Sequence, residues 1–150
     1  MKNIYVAATG QHTGKTTSTL GLMVNLAEKG LKVGYCKPVG QKFVNVDGAI
    51  ADKDAVLFSD FLHFNMNPDW HSPVVLGPGV TRRYIEDPTQ FDFRERILNA
   101  AAQLESAHDL IVYEGTGHPG VGRVVDLSNA QVAKMLGCGV VMIVEGGIGN

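Results

Sequence analysis

The sequence has little of several things, and each scarcity excludes a class of protein. Only two cysteines, Cys36 and Cys138, occur among 150 residues, too few for a small secreted domain held together by disulfides. Both lie in apolar, strand-like runs, which favours buried thiols in a reducing cytosol over a disulfide. No apolar run approaches the roughly 20 residues of a membrane span, and the N-terminal run is too short for a signal-peptide core. We therefore expect a cytoplasmic protein with no membrane partner.

Neither sign of charge dominates. The 13 basic and 15 acidic residues are interspersed, with a net charge of −2, so no basic stripe is present to bind a nucleic-acid backbone. Hydrophobic residues make up 45% of the chain and glycines number 18, a composition typical of globular α/β proteins. The length fits one domain over residues 1–150. The pattern stops after a strand and before a covering helix, so we expect a fragment lacking its C-terminal segment.

Strand-like and helix-like segments alternate along the chain. Short apolar runs predict buried strands at 3–8, 31–38, 109–114 and 139–144. Periodic apolar spacing predicts helices at 15–29, 52–64, 91–107 and 129–137. Residues 65–90 show no periodicity and are predicted to form one long functional loop. The alternation predicts a doubly wound parallel sheet, a three-layer α/β sandwich of the P-loop NTPase type, with ligands beyond the carboxyl ends of the strands.

The segment "ATGQHTGKTT" separates the first predicted strand from the first predicted helix. In a Walker A loop, backbone N–H groups hold phosphate oxygens, a lysine reaches the β- and γ-phosphates, and the next hydroxyl ligates Mg²⁺. Lys15 and Thr16 match these roles. Thr9 replaces the first glycine of the strict pattern, and Gly10 supplies backbone freedom one residue later. We predict that the nucleotide is bound by Gly10, Gln11, His12, Thr13, Gly14, Lys15, Thr16 and Thr17.

A carboxylate follows the third predicted strand. Glu114 ends "DLIVYE" in a Walker B position, facing the phosphate loop from a neighbouring strand. Mg²⁺ prefers oxygen ligands and keeps several waters, so Thr16, Glu114 and one aspartate would suffice. Asp52 and Asp54 are both candidates for that aspartate. Asp52 is equally suited to cap the helix that follows.

Two other features lie near predicted strand ends. Lys37 precedes Pro38 at the end of the second strand, where it is either solvated or directed into the ligand crevice to bind an anion. The segment "EGTGHPGVG" contains a G-x-G-x-x-G pattern, but Pro119 interrupts it and no helical pattern begins there. We interpret it as a flexible loop that lets Glu114 approach phosphate and metal.

Four segments together resemble one family. The segments "VAATGQHTGKTTSTLGL", "VGYCKPVG", "IVYEGTGH" and "DLSNAQVAKMLGCGVVMIVEGGIG" are similar to the dethiobiotin synthetase and cobyrinic acid a,c-diamide synthase group of P-loop proteins. The likeness covers nearly the whole chain. The segment "HSPVVLGPGVTRRYIEDP" is more similar to a related module at the N-terminus of some phosphate acetyltransferases. In those enzymes the module is a regulatory nucleotide-binding domain.

The resemblance implies an ATP- and Mg²⁺-dependent C–N ligase of the cyclo-ligase or amide synthase type. Such enzymes phosphorylate a carboxylate or carbamate, which an amine then attacks. Lys15 and Lys37 match catalytic positions, with Lys37 toward the substrate, while Thr16, Asp54 and Glu114 match the magnesium positions. The resemblance also implies a small-molecule substrate and a homodimer. The alternative that it leaves open is a regulatory nucleotide-binding module without ligase activity.

Overall fold

A computed structural model describes residues 3–146. Its strands, numbered in chain order, are β1 (Ile4–Ala8), β2 (Val33–Cys36), β3 (Val39–Gly40), β4 (Phe43–Val46), β5 (Ala49–Asp52), β6 (Val74–Val75), β7 (Leu110–Glu114) and β8 (Gly139–Ile143). The α-helices are α1 (Lys15–Glu28), α2 (Lys53–Leu62), α3 (Pro68–His71), α4 (Val80–Glu86), α5 (Phe93–Ala107) and α6 (Asn129–Met135), with 3₁₀ turns at Pro88–Gln90 and Arg123–Val125. The predicted alternation of strands and helices is confirmed.

The centre of the fold is a four-stranded sheet in the order β2-β7-β1-β8, and every pairing in it is parallel. Two small sheets, β3-β6 and β4-β5, lie beside it. Parallel neighbours end at the same edge, so the carboxyl ends of β1, β2 and β7 deliver the phosphate loop, Lys37 and Glu114 to one place. The doubly wound P-loop architecture is as predicted.

Alternation along the strands divides the core into two layers. Tyr35 and Val112 pack with Phe58 in a cluster on the side of α1 and α2. Tyr113 and Cys36, one residue along each strand, instead enter the larger cluster with α5 and α6. Because side chains alternate with a period of two, Lys37 and Glu114 share the face of Tyr35 and Val112.

The helix starts follow the capping chemistry of the sequence. Ser128 and Gln131 form the predicted capping box at α6. The side chain of Asp52 caps α2 by accepting from the backbone N–H of Asp54. Both caps fix the direction in which a helix leaves the site edge of the molecule.

The prediction of one long loop over 65–90 is wrong. The segment contains α3, β6, α4 and a 3₁₀ turn. Asn67 caps α3 with Pro68 in its first turn, and β6 pairs with β3. These elements are too short to produce a periodic pattern, and their tertiary contacts with β3 and α5 stabilise them.

A hairpin between Lys37 and α2 was not predicted. β4 and β5 pair antiparallel across Asp47 and Gly48, which both have positive φ. The Asp-Gly pair is a common signal for a tight hairpin turn, so this hairpin could have been predicted from the sequence. It fixes Asp52 and Asp54 at the rim of the site.

Both cysteines are free, Cys36 buried and Cys138 half-buried. Within residues 3–146 no helix combines the length and apolarity that crossing a membrane requires.

Candidate functional site

The phosphate loop is anchored at its start and turns sharply at two residues. The backbone N–H of Thr9 donates to the carbonyl of Ile143 at 3.1 Å, which extends the β1–β8 pairing into the loop. His12 and Gly14 have left-handed backbones, with φ of 63° and 82°. Gly14 meets this need without a steric cost, whereas a histidine adopts such a φ less commonly. The loop then enters α1 at Lys15.

A cavity of about 290 Å³ opens above this loop. Its lining includes Gly10, Gln11, His12, Gly14, Lys15, Thr16 and Thr17 from the predicted nucleotide-binding set. The other lining residues are Lys37, Val39, Gln41, Lys42, Asp52, Asp54, Thr116 and Gly117. Thr13 is outside this lining, and its hydroxyl donates to the carbonyl of Gly10 at 3.3 Å. Seven of the eight predicted loop residues therefore line one cavity together with Lys37, Asp52 and Asp54, whereas Thr13 and Glu114 are outside its lining.

Glu114 is the centre of the site and is completely buried. Its Oε1 forms an ion pair with Lys15 Nζ, accepts from the Thr16 hydroxyl at 3.0 Å and lies 3.9 Å from Lys37 Nζ. Its Oε2 accepts from the Tyr35 hydroxyl at 2.7 Å. One carboxylate at the end of β7 therefore joins the phosphate loop that follows β1 to the end of β2.

Lys37 lies among three carboxylates. Its Nζ forms an ion pair with Asp54 Oδ2 and is 3.9 Å from oxygens of both Asp52 and Glu114. Burial lowers the pKa of Lys37, but the three carboxylates outweigh burial and hold the pKa above its ordinary value. For Asp54, burial acts to raise the pKa, and the nearby Lys37 outweighs it and lowers the pKa. Of the two alternatives for Lys37, the structure shows the one directed into the crevice.

Lys15 is placed differently. Burial lowers its pKa, and the neighbouring Glu114 offsets only part of that effect. Tyr35 beside it has its pKa raised well above the ordinary value by burial and by Glu114, so its hydroxyl stays protonated and donates. Both lysine residues are nearly buried, 7% and 5% exposed, and both approach the buried carboxylate of Glu114, which is not one of the residues lining the cavity.

The structure distinguishes the two aspartates that the sequence left open. Asp52 accepts from the backbone N–H groups of Gln41, Lys42 and Asp54 at 2.8, 3.1 and 2.9 Å. Its carboxylate therefore caps α2 and holds the turn at Gln41 and Lys42. Asp54 is less buried than Asp52, and its carboxylate pairs with the ammonium group of Lys37. Asp54 is the aspartate better placed to meet a ligand in the cavity.

The donor set fits a hard cation. Thr16 Oγ1, Glu114 Oε1 and the Asp54 carboxylate are all oxygen donors at this edge. Among residues 3–146, no group of three or more His, Cys, Asp or Glu side chains is close enough to enclose a metal by itself. Mg²⁺ commonly takes only one or two carboxylates, with phosphate and water completing its shell, so this donor set matches a nucleotide-borne Mg²⁺.

Sequence reasoning missed several residues of the site, among them Tyr35, Gln41 and Lys42. Tyr35 lies in β2, two residues before Lys37. The alternation of side chains along a strand is the one sequence signal that could have placed it on the same face as Lys37. Gln41 and Lys42 line the cavity from the start of the unpredicted hairpin. Their positions depend on the bonds to Asp52, which no local pattern reports.

Comparisons with known proteins identify the family of the chain. A family model described as an AAA domain, AAA_26, matches residues 2–150. The ATP-dependent dethiobiotin synthetase of Thermodesulfovibrio yellowstonii is 29% identical over 88% of this chain and 54% of that protein. The phosphate acetyltransferase of Nitratidesulfovibrio vulgaris is 27% identical over 96% of this chain but 20% of that protein. The cobyric acid synthase of a Jannaschia species is 27% identical over 88% of this chain and 30% of that protein.

The chain thus spans about half of this dethiobiotin synthetase and smaller shares of the other two relatives. Among solved structures, a chimerical protein named CapA2B2 matches with a TM-score of 0.59 over 99% of this chain and 65% of that one. At 16% identity, this match supports the fold alone.

Proposed function

Because this chain belongs to the AAA_26 family of AAA domains, we propose that it binds ATP with Mg²⁺ and activates a carboxylate or carbamate for ligation to an amine. The substrate oxygen attacks the γ-phosphorus and ADP leaves. The amine then displaces phosphate from the acyl carbon and forms the C–N bond. Dethiobiotin synthetase and cobyric acid synthase relatives support a ligase of this kind.

The observation that carries the proposal is the pair of buried lysines around one carboxylate. Lys15 comes from the phosphate loop and Lys37 from the end of β2, and both face Glu114 Oε1. A P-loop that only held a nucleotide would need the first of these lysines. The second, at a strand end beside the same cavity, is placed to meet the group that receives the phosphate.

The residues of the chain would act by position and charge. Backbone N–H groups at the start of α1 bind phosphate oxygens, and Lys15 neutralises the charge that develops on them. Lys37 orients the substrate carboxylate or carbamate, and its raised pKa keeps it cationic at neutral pH. No protein nucleophile is required because the transfer depends on alignment and electrostatics.

Thr16, Glu114 and Asp54 would hold Mg²⁺. The ion, when bound, neutralises charge on the β- and γ-phosphates. In its absence, Glu114 and Asp54 make ion pairs with Lys15 and Lys37. Loading the site therefore requires the lysines to exchange carboxylate partners for phosphate and substrate.

A second candidate is supported by the phosphate acetyltransferase match. That match covers 96% of this chain within 20% of a much longer protein, as expected of a nucleotide-binding module attached to other domains. A regulatory module would bind ATP and hydrolyse it slowly, at a rate that does not depend on an acceptor substrate.

Under either candidate, we propose that residues 1–150 act as a single nucleotide-binding domain. By the family resemblance, we also propose that two copies associate across the substrate site.

Calorimetric titration of ATP, with and without Mg²⁺, tests the shared part of both candidates. We expect Mg²⁺-dependent binding in the wild type and none in Lys15→Ala, because the variant loses the buried cation of the loop. Lys29→Ala, at the exposed end of α1, is the matched control and is expected to bind as the wild type does. Wild-type protein that binds no ATP would refute both candidates.

A panel of small carboxylates and amines then separates the candidates. The ligase predicts that one acceptor stimulates ADP release and that Lys37→Ala abolishes this stimulation while retaining ATP binding. Release that is slow and unchanged across the panel would favour the regulatory module.

A further inference from the structure

Only one of the two Glu114 oxygens faces the proposed chemistry. Oε1 meets Lys15, Thr16 and Lys37, whereas Oε2 points away from the phosphate loop to the hydroxyl of Tyr35. Within residues 3–146, the hydrogen bond that Oε2 accepts is the one from Tyr35, at 2.7 Å. Rotation of the carboxylate about its last bond would therefore break the Tyr35 contact and displace Oε1.

The tyrosine is itself held rigidly. Its ring stacks on Phe58 of α2, with centroids 4.0 Å apart and planes 11° from parallel. Tyr35 is 2% exposed and Phe58 is 1% exposed, and Val6, Met23 and Val112 belong to the same apolar cluster. A close-packed ring has few rotamers available, so its hydroxyl is a fixed point rather than a mobile one.

The register explains how Tyr35 reaches this oxygen. Tyr35 is level with Val112 across the β2–β7 pairing, and Glu114 lies two residues further along the same face. The tyrosine is long enough to extend along the strands to the carboxylate, while Lys37 stands beside Glu114 at the strand end. Tyr35 in β2 and Lys37 immediately after β2 thus approach the carboxylate from one segment of the chain.

We propose that Tyr35 is the positioning residue that orients the Glu114 carboxylate, so that Oε1 faces the magnesium and nucleotide of the proposed site. The inference rests on the proposed function, because it assigns a role in the binding of Mg²⁺ with ATP. Tyr35 touches neither ligand and acts only through Glu114. Hydrogen-bond partners behind a ligating group commonly contribute 10- to 100-fold to metal affinity.

The test is Tyr35→Phe, which keeps the ring and its stack and removes only the hydroxyl. ATP binding is titrated by calorimetry over a range of Mg²⁺ concentrations and also without Mg²⁺. We expect the half-saturating Mg²⁺ concentration to rise by roughly 10- to 100-fold, with ATP binding in the absence of Mg²⁺ unchanged. A merely structural role would weaken both measurements equally.

Tyr113→Phe is the matched control. Tyr113 is as buried and lies in β7, but its hydroxyl points to the opposite layer, 3.5 Å from Glu105. We expect its Mg²⁺ dependence to equal that of the wild type. A Tyr35→Phe variant that folds and keeps the wild-type Mg²⁺ dependence would overturn the inference while leaving the proposed function intact. Wild-type protein whose ATP binding ignores Mg²⁺ would overturn both.

If Tyr35→Phe does not fold, Phe58→Leu replaces it as the test. This variant leaves the hydroxyl and loosens the stack that fixes it, so a smaller rise in half-saturating Mg²⁺ is expected. An unchanged Mg²⁺ dependence in folded Phe58→Leu protein would then count against a fixed tyrosine as the orienting group.

Discussion

Lys37 and Asp54 form an ion pair beside the cavity, and its contribution to stability depends on pH. Their side chains are 6% and 29% exposed, so the pair is partly shielded from solvent. The lowered pKa of Asp54 means that its contribution to stability is present above its ordinary pKa and is lost as pH falls through the folded value. The raised pKa of Lys37 means that its contribution persists until pH rises through that raised value.

We predict that Asp54→Asn lowers the free energy of unfolding by about 1–2 kcal/mol near pH 7. The difference from the wild type should shrink below about pH 4, because Asp54 is then protonated in the unfolded wild type and, at lower pH still, in the folded protein. Urea unfolding at several pH values measures it. Asp60→Asn, an exposed change in the same helix, is the control. A difference that stays constant down to pH 3 would contradict the pairing.

Individual site residues were predictable where their signal was local. Gly14, Lys15 and Thr16 form a contiguous motif between a strand and a helix, and Glu114 ends an apolar run. Tyr35 was not predicted, because a tyrosine in an apolar strand is ordinary and its partner lies 79 residues away. The choice between Asp52 and Asp54 also needed the three backbone donors that surround Asp52.

Among the secondary structure elements, the junction of β3, the hairpin and α2 sets the rim of the cavity. Gly40 in β3 approaches Asp52 so closely that a Cβ there would lie 2.5 Å from its Cβ and Oδ2. Asp52 at the same time caps α2 and anchors Gln41 and Lys42. The glycine is therefore what allows these elements to meet.

We predict that Gly40→Ala destabilises the fold by about 1–3 kcal/mol, because the added methyl group displaces a buried carboxylate and its hydrogen bonds. Gly21→Ala is the matched change, since nothing lies within 4 Å of its added Cβ in α1. It should stabilise the protein by about 0.5–1 kcal/mol through helix propensity. Equal effects in urea unfolding would contradict the proposed close approach.

Elements were predictable according to their length. The long helices α1 and α5 have periodic apolar faces, and they appear where the sequence placed them. The short elements between 65 and 90 have too few residues for a period to be visible, although Asn67 followed by Pro68 is a recognisable helix start. Their existence depends on partners such as β3 and α5.

At the scale of the whole molecule, β8 is one of the two edge strands of the central sheet. Within residues 3–146, β8 pairs with β1 alone. Val140 and Met142 are about half exposed on one face of the strand, and Val141 is 41% exposed on the other. An apolar edge strand promotes pairing between molecules.

We predict that the 150-residue chain self-associates as its concentration rises and that Val141→Lys suppresses this. A lysine on an edge strand opposes the approach of a second strand by charge and by its preference for water. Sedimentation velocity over a concentration series measures the effect, with Val124→Lys, an exposed change away from the edge, as the control. Wild-type protein that stays monomeric throughout would refute the prediction.

The order of the strands was not predictable from periodicity. Alternation implies a parallel sheet, but the order β2-β7-β1-β8 places β7, from the far end of the chain, between the first two strands. Such pairings depend on packing among many side chains at once, which a single sequence does not report. The shared carboxyl edge still follows from parallelism, so the site was located correctly before the order was known.

The buried thiol of Cys36 makes the centre of the sheet accessible to a kinetic experiment. Burial raises its pKa and shields it, so a thiol reagent can alkylate it only when β2 separates from its neighbours. Cys138, half-buried immediately before β8, should react first and serve as an internal standard. Because Cys36 immediately precedes Lys37, the rate at which Cys36 is labelled measures how often the end of β2 beside Lys37 opens. A ligand that bridges Lys15 and Lys37 would slow the labelling of Cys36.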